Sequence, residues 1–215
     1  SQRVRYNSEL QSLDSTIQDY YGMGKGQIES LNGRKLHNLG FMGQGMTIAV
    51  LDAGFMNVDK IPAFKNLNIK GTRNFVAGYD NDVYKEMDHG TKTLSTIAMN
   101  QPTVFVGTAP KASFWLLRTE DYLTESSAEE DFWIAAVEFS DSVGVDVISS
   151  SLGYHGFDDK SMNYRYSDLN GKTAPISQVA SRLASKGIIL VNSAGNDGMG
   201  TWKKINVPAD AHDIL

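Results

Sequence analysis

Short apolar runs alternate along this chain with amphipathic stretches. In "TIAVL" (47–51), Ile48, Ala49, Val50 and Leu51 follow one another with no polar residue between them. That is the pattern of a strand buried on both faces. The runs "SFWLLR" (113–118), "VDVIS" (145–149) and "GIILV" (187–191) predict three further strands. Helical spacing lies between them. Leu94, Ile97 and Ala98 mark one helix; Phe132, Ala135, Ala136 and Phe139 mark another, with Ser127 and Glu130 at capping-box spacing before it. A helix over 177–185 is predicted to stop at Lys186-Gly187, and a further helical stretch falls within 27–39. Strands alternating with helices predict an α/β fold, a doubly wound and mostly parallel sheet with helices on both faces. With no internal repeat or linker, 1–215 reads as a single domain: an N-terminal strap and helix over 1–45, then a parallel α/β core over 46–215.

Composition narrows the function more than the fold. A chain of 215 residues, 41% hydrophobic and 21% charged, suits one globular domain. A net charge of −5 and the lack of any Lys/Arg block argue against a nucleic-acid partner. No apolar run is long enough to span a membrane. The chain has no cysteine, so it can form neither disulfides nor thiolate zinc sites. It opens on Ser1 with no signal peptide, and a processed or trimmed start is expected.

Chemistry gathers where the apolar runs end. Asp52 follows the first strand, and in a generic protein such an acid starts a turn or caps a helix. At the rim of an open α/β sheet, however, ligands and catalytic groups collect. In "MDHGTKTLSTIAMN" (87–100), His89 opens a helix, where the positive end of the dipole favours neutral imidazole, the form a general base needs. "ISSSLGY" (148–154) and "VNSAGNDG" (191–198) close two buried strands in small residues and glycine, which permit close backbone approach. An acid, a histidine, a glycine edge and an amide thus meet on one sheet rim.

These segments carry a resemblance. "AVLDAGF", "DHGT", "GTAPKASFWLLR", "SSSLG", "NSAGNDG" and "VPAD" resemble, in order, the motifs of the subtilisin-like serine proteases, over about Tyr21 to Leu215. Lys92 departs from the pattern, standing where many relatives carry a second histidine. The resemblance implies a serine endopeptidase in which His89 is the general base, Asp52 orients and stabilises its imidazole, and Asn196 donates to the oxyanion. It also implies that substrate pairs in extended form with Ser150, Ser151, Leu152 and Gly153, beside Ser193, Ala194 and Gly195. Tyr122 to Ser126 would form the opposite edge of the cleft. A secreted, periplasmic or cell-surface setting and a protein or peptide substrate follow from the same resemblance.

The nucleophile of such a site is absent from the sequence, which has no Gly-Thr-Ser and no Gly-x-Ser-x-Gly. The expectation is an incomplete domain, partnered by its own C-terminal part and inactive alone, or else a non-catalytic relative that binds peptide or a partner protein. No cofactor is required by the implied chemistry. Calcium enters only through the acids Asp80, Asp82, Glu86 and Asp88, set against the reading of a solvated acidic loop. Glu120, Asp121, Glu125, Glu129, Glu130 and Asp131 flank the proposed cleft edge and predict a preference for basic peptides, against the alternative that they cap the following helix. His37, His155 and His212 lie outside the motifs and read as surface or loop residues. "GMGKGQ" (22–27) lacks the preceding strand a phosphate loop would need.

Overall fold

The structure, a computed structural model, describes residues 19–215; the first part of the expected N-terminal strap lies outside the described residues. Among the described residues two short helices, α1 (Lys25–Ser30) and α2 (Gly33–Asn38), precede the first strand. They occupy the stretch predicted as one helix. Asn32 breaks it, in the left-handed conformation at φ 57° and followed by glycine.

Strand β1 (Thr47–Asp52) is followed by β2 (Asn68–Asn74), α3 (His89–Ala98), a small antiparallel hairpin of β3 (Asn100–Gln101) and β4 (Phe105–Val106), and β5 (Ser113–Arg118). Next come α4 (Ala128–Ser142), β6 (Val147–Ser150), α5 (Pro175–Ala180) and β7 (Ile189–Asn192). The main sheet runs β2-β5-β1-β6-β7, and every pairing in it is parallel. The doubly wound α/β architecture is therefore present, and its cause is visible in β1. Ile48 and Val50 pack with Leu94, Ala98, Phe114 and Leu116, on the side of α3. Ala49 and Leu51 pack with Trp133, Ala136 and Ile176, on the side of α4 and α5. A period of two with both sets apolar requires helices on both faces.

Three elements differ from expectation. Strand β2 was not predicted, because "NIKGTRN" has no apolar run; as an edge strand it needs few buried side chains. Its register shifts between Ile69 and Gly71, and a Cβ on Gly71 would lie 2.4 Å from the Trp115 ring, so only glycine lets that ring lie against the strand. The predicted helix 177–185 is shorter: Ser181 Oγ donates back to the Ser177 carbonyl at 2.8 Å, a local bond that competes with helix continuation. A 3₁₀ turn follows, closed by Gly187 at φ 83°. The capping box at Ser127 and Glu130 does not form. Instead Glu129 reaches back to accept from Ser126 N–H at 3.1 Å, one residue earlier.

Candidate active site

Parallel strands in register bring their carboxyl ends to one rim. Asp52 lies opposite Arg118 of β5, Leu51 opposite Ser150 of β6, and Ser150 opposite Asn192 of β7. Asp52 is 0% exposed, because β1 is central and α3 begins directly over its end. His89 is the first residue of α3, and its Nδ1 lies 2.8 Å and 2.9 Å from the two Asp52 carboxylate oxygens. Ala53 N–H donates to Asp52 Oδ1 at 2.8 Å, and Thr93 Oγ1 donates to Oδ2 at 3.1 Å. Burial pushes the Asp52 carboxyl above the usual aspartate range, while the bonds from His89, Ala53 and Thr93 pull it down. The His89 side chain is 53% exposed, so the face of the ring away from Asp52 is open to a reactant.

Two further residues make this approach possible. A Cβ on Gly90 would fall 2.4 Å from the Gly54 carbonyl and 2.9 Å from Asp52 Cβ. Only glycine lets α3 start this close to β1. Thr93, one helical turn beyond His89, was missed by sequence reasoning; its spacing from a helix-opening histidine was the available signal.

The segments expected to hold substrate are placed unevenly. Ser150 lies inside the sheet, 2% exposed, its hydroxyl accepting from Trp133 Nε1 at 3.0 Å and its carbonyl from Ser193 N–H at 2.9 Å. It is the last residue of β6, an internal strand of the sheet. Ser151, Leu152 and Gly153 continue past the strand, half-buried, and of their backbone groups the Leu152 carbonyl is bonded by Asn192 Nδ2 at 3.2 Å. Ser193, Ala194 and Gly195 turn out from β7, with Gly195 at φ 94° and its N–H donating to Ser193 Oγ at 3.1 Å. Asn196 follows, exposed to solvent. Since β6 separates β1 from β7, the Asp52–His89 pair and the Asn196 loop flank the Ser151–Gly153 segment.

The opposite edge differs from expectation. At its centre, the Glu125 carbonyl accepts from Asp158 N–H at 2.9 Å and the Glu125 N–H donates to Asp158 Oδ2 at 3.1 Å, so Tyr122–Ser126 is a turn tied to Asp158 rather than a free edge. The acids around it are also less available than their number suggests. Glu129 accepts from Asp121 N–H at 2.7 Å, Glu130 accepts from the Tyr164 hydroxyl at 2.8 Å, and Glu120 accepts from the buried Tyr154 hydroxyl. Burial pushes these carboxyls up, to about 8 for Glu120 and about 7 for Glu129 and Glu130. Of the six acids flanking this edge, Glu125 and Asp131 stay exposed, while Glu120, Glu129 and Glu130 are turned inward.

The acidic loop does not fit calcium. Asp80 and Asp82 share Lys85 at 2.5 Å and 3.6 Å, while Glu86 pairs with Arg118 at 2.9 Å and Asp88 with Lys92 at 2.9 Å, so each carboxylate already faces a cation of the chain. Among the described residues no group of three or more His, Asp or Glu side chains is placed to hold a metal ion. The other histidines have structural partners: His37 bridges the Tyr21 hydroxyl at 3.1 Å and the Thr108 carbonyl at 2.9 Å, and His155 stacks on Trp202 at 4.5 Å. His212 is exposed.

A parallel α/β sheet thus carries, at its carboxyl rim, a buried aspartate bonded to a helix-opening histidine on a doubly wound domain. Residues 43–215 match the model of the subtilase family, and the chain belongs to that family. It is 29% identical over 184 residues to subtilisin E of Bacillus subtilis (strain 168), covering 85% of this chain and 42% of that protein. Subtilisin of Bacillus pumilus is 28% identical over 184 residues, 85% of this chain and 59% of its own length. Subtilisin Savinase of Lederbergia lenta is 29% identical over 175 residues, 80% of this chain and 55% of its own. The chain thus spans about half the length of these relatives.

Proposed function

We propose that these residues form the Asp–His part of a serine endopeptidase, whose nucleophilic serine belongs to a segment outside this sequence. The observation that carries the reading is the contact of His89 Nδ1 with both Asp52 oxygens. With Nδ1 donating to the carboxylate, Nε2 is the free base. It takes the serine proton as the hydroxyl attacks the peptide carbonyl, and later gives it to the leaving amine. Asp52 stays ionised and stabilises the imidazolium; Ala53 N–H and Thr93 fix the carboxylate in turn. Asn196 donates its side-chain amide to the oxyanion. Extended substrate pairs with Ser151–Gly153, whose backbone is largely free of other bonds.

The C-terminal part of the same domain is the proposed partner. Ile189 and Val191 of β7 are 52% and 42% exposed, an apolar strand face of the kind a further layer covers. Alone, residues 1–215 are proposed to lack peptidase activity. A secreted or cell-surface location accords with the family; among the described residues no helix is long and apolar enough to cross a membrane.

The test is a fluorophosphonate serine probe applied to the complete natural protein, with peptide hydrolysis measured in parallel. Labelling that requires His89, together with cleavage, supports the peptidase. A complete protein that binds peptides but takes no label would instead be a non-catalytic, peptide-binding relative.

A further inference from the structure

Helix α2 is six residues long and buries none of them. A helix that short is not stable in water by itself and ordinarily depends on an apolar face packed against a neighbour. Here the apolar side chains of the region face outward: Leu31 is 69% exposed, Leu36 52% and Phe41 66%. These three line a hollow of about 110 Å³ together with the fully buried Ile28. A second hollow of about 310 Å³ adjoins it through His37, which lines both, and is bordered by Tyr20, Tyr21 and Arg34. Together they make one groove across α1 and α2 whose apolar groups lack a cover among the described residues.

The chain itself supplies an occupant. Residues 1–18 join the described chain at Asp19, which accepts from the Tyr21 N–H at 2.9 Å and from Arg34 Nη2 at 2.8 Å. Those bonds fix the junction at the border of the groove. In the sequence, Tyr6, Leu10, Leu13 and Ile17 recur at intervals of four, three and four, and every residue between them is polar. That spacing is the apolar stripe of an amphipathic helix. A helix over 6–17 would extend about 18 Å, roughly twice the length of six-residue α2. Glu9 and Asp14 flank the stripe and are opposite in charge to Arg34, at the border of the groove, and to Lys35 beside it.

We propose that residues 6–17 dock in this groove as an amphipathic helix, with Leu10, Leu13 and Ile17 covering Leu31, Leu36 and Phe41. Stripe and groove then leave water together, each against the other. The docked helix gives α2 the tertiary contact that its own length denies it. A segment tethered at the border of the groove meets it at an effective concentration on the order of millimolar, which favours it over a second copy or a separate protein. This docking does not depend on the peptidase reading.

The experiment treats the complete protein carrying L13C/L36C with a short bismaleimide, beside S15C/L36C, in which the first cysteine stands opposite the stripe. Peptide mass mapping is expected to find the 13–36 link within one chain at least about tenfold more often than the 15–36 link. Hydrogen exchange is the second measurement. In L10D/L13D, first checked for a native thermal transition, the bonded amides of Leu39, Gly40 and Phe41 should exchange about tenfold faster than in wild type. Equal linking from positions 13 and 15, or unchanged exchange in the folded variant, overturns the proposal. Links found only between chains give the groove to a second copy, and no link with unchanged exchange gives it to a separate partner; both also overturn it. Should L10D/L13D fail to fold, the linking pattern alone decides.

Discussion

Asp52 faces His89 with both of its oxygens, at 2.8 and 2.9 Å from Nδ1, while Ala53 N–H and Thr93 Oγ1 donate to the same carboxylate. An ionised carboxylate only accepts, so the arrangement holds the proton on Nδ1 and leaves Nε2 bare. Asparagine at position 52 would turn an amide donor toward Nδ1 and favour the opposite tautomer. Asp52→Asn in the complete protein is therefore expected to lower kcat by on the order of 10⁴-fold, with KM little changed. Steady-state kinetics checks this, with the imidazole nitrogen shifts reporting the tautomer. A loss smaller than about tenfold would mean that Asp52 does not orient the base.

Asn196 stands exposed at the start of its turn, on the loop that follows β7. A side chain poised for a charge that exists only in the transition state should matter to kcat and not to ground-state binding. Asn196→Ala is expected to cost on the order of 10²–10³-fold in kcat with a near-constant KM. An effect confined to KM would place Asn196 in substrate binding instead.

The fold was legible where burial is symmetrical. Ile48 to Leu51 are apolar on both faces, and such a run admits few readings besides a central parallel strand. Strand β2 was hidden because an edge strand can be built from polar residues, with Gly71 placed for Trp115 rather than for the strand. Site residues carried by short motifs, Asp52 and His89, could be read from the chain. Thr93 could not, since it acts through a contact made across the fold, on Asp52 of β1. Acid count misled in the same way. Glu120, Glu129 and Glu130 read as surface charge, yet they turn to Tyr154, to the Asp121 and Ser126 N–H groups and to Tyr164.

Gly90 holds the approach of α3 to β1. A methyl group there meets the Gly54 carbonyl at 2.4 Å, the Phe55 ring at 2.8 Å and Asp52 Cβ at 2.9 Å, a backbone atom and two fully buried side chains that cannot move away cheaply. Gly90→Ala is expected to destabilise the protein by about 1–3 kcal/mol and to lengthen the His89–Asp52 contact. Activity should fall more than the loss of folded protein explains, measured at a temperature where the variant remains native. Full specific activity in folded G90A would show that the helix start tolerates the shift.

Glu120 carries the clearest pH dependence. Part of the residue reaches solvent, but its carboxyl end lies against the buried Tyr154 hydroxyl and beside Thr119, whose Oγ1 donates at 3.1 Å. Burial, reinforced by the nearby Glu129, raises it from an ordinary value of 4.5 to about 8. A carboxyl whose folded value is raised holds its proton more tightly in the native state than in the unfolded one. Its contribution to stability is present below the unfolded value and is lost as pH rises toward 8. Between pH 5 and pH 8 the loss from this group amounts to on the order of 3 kcal/mol. Glu120→Gln keeps a neutral partner for Tyr154 and removes the ionisation. It should flatten the fall in stability over that range and leave the variant more stable than wild type at pH 8, as read by denaturant unfolding at several pH values. Parallel pH profiles for the two proteins would show that the carboxyl ionises at its ordinary value and that Tyr154 holds it as a carboxylate.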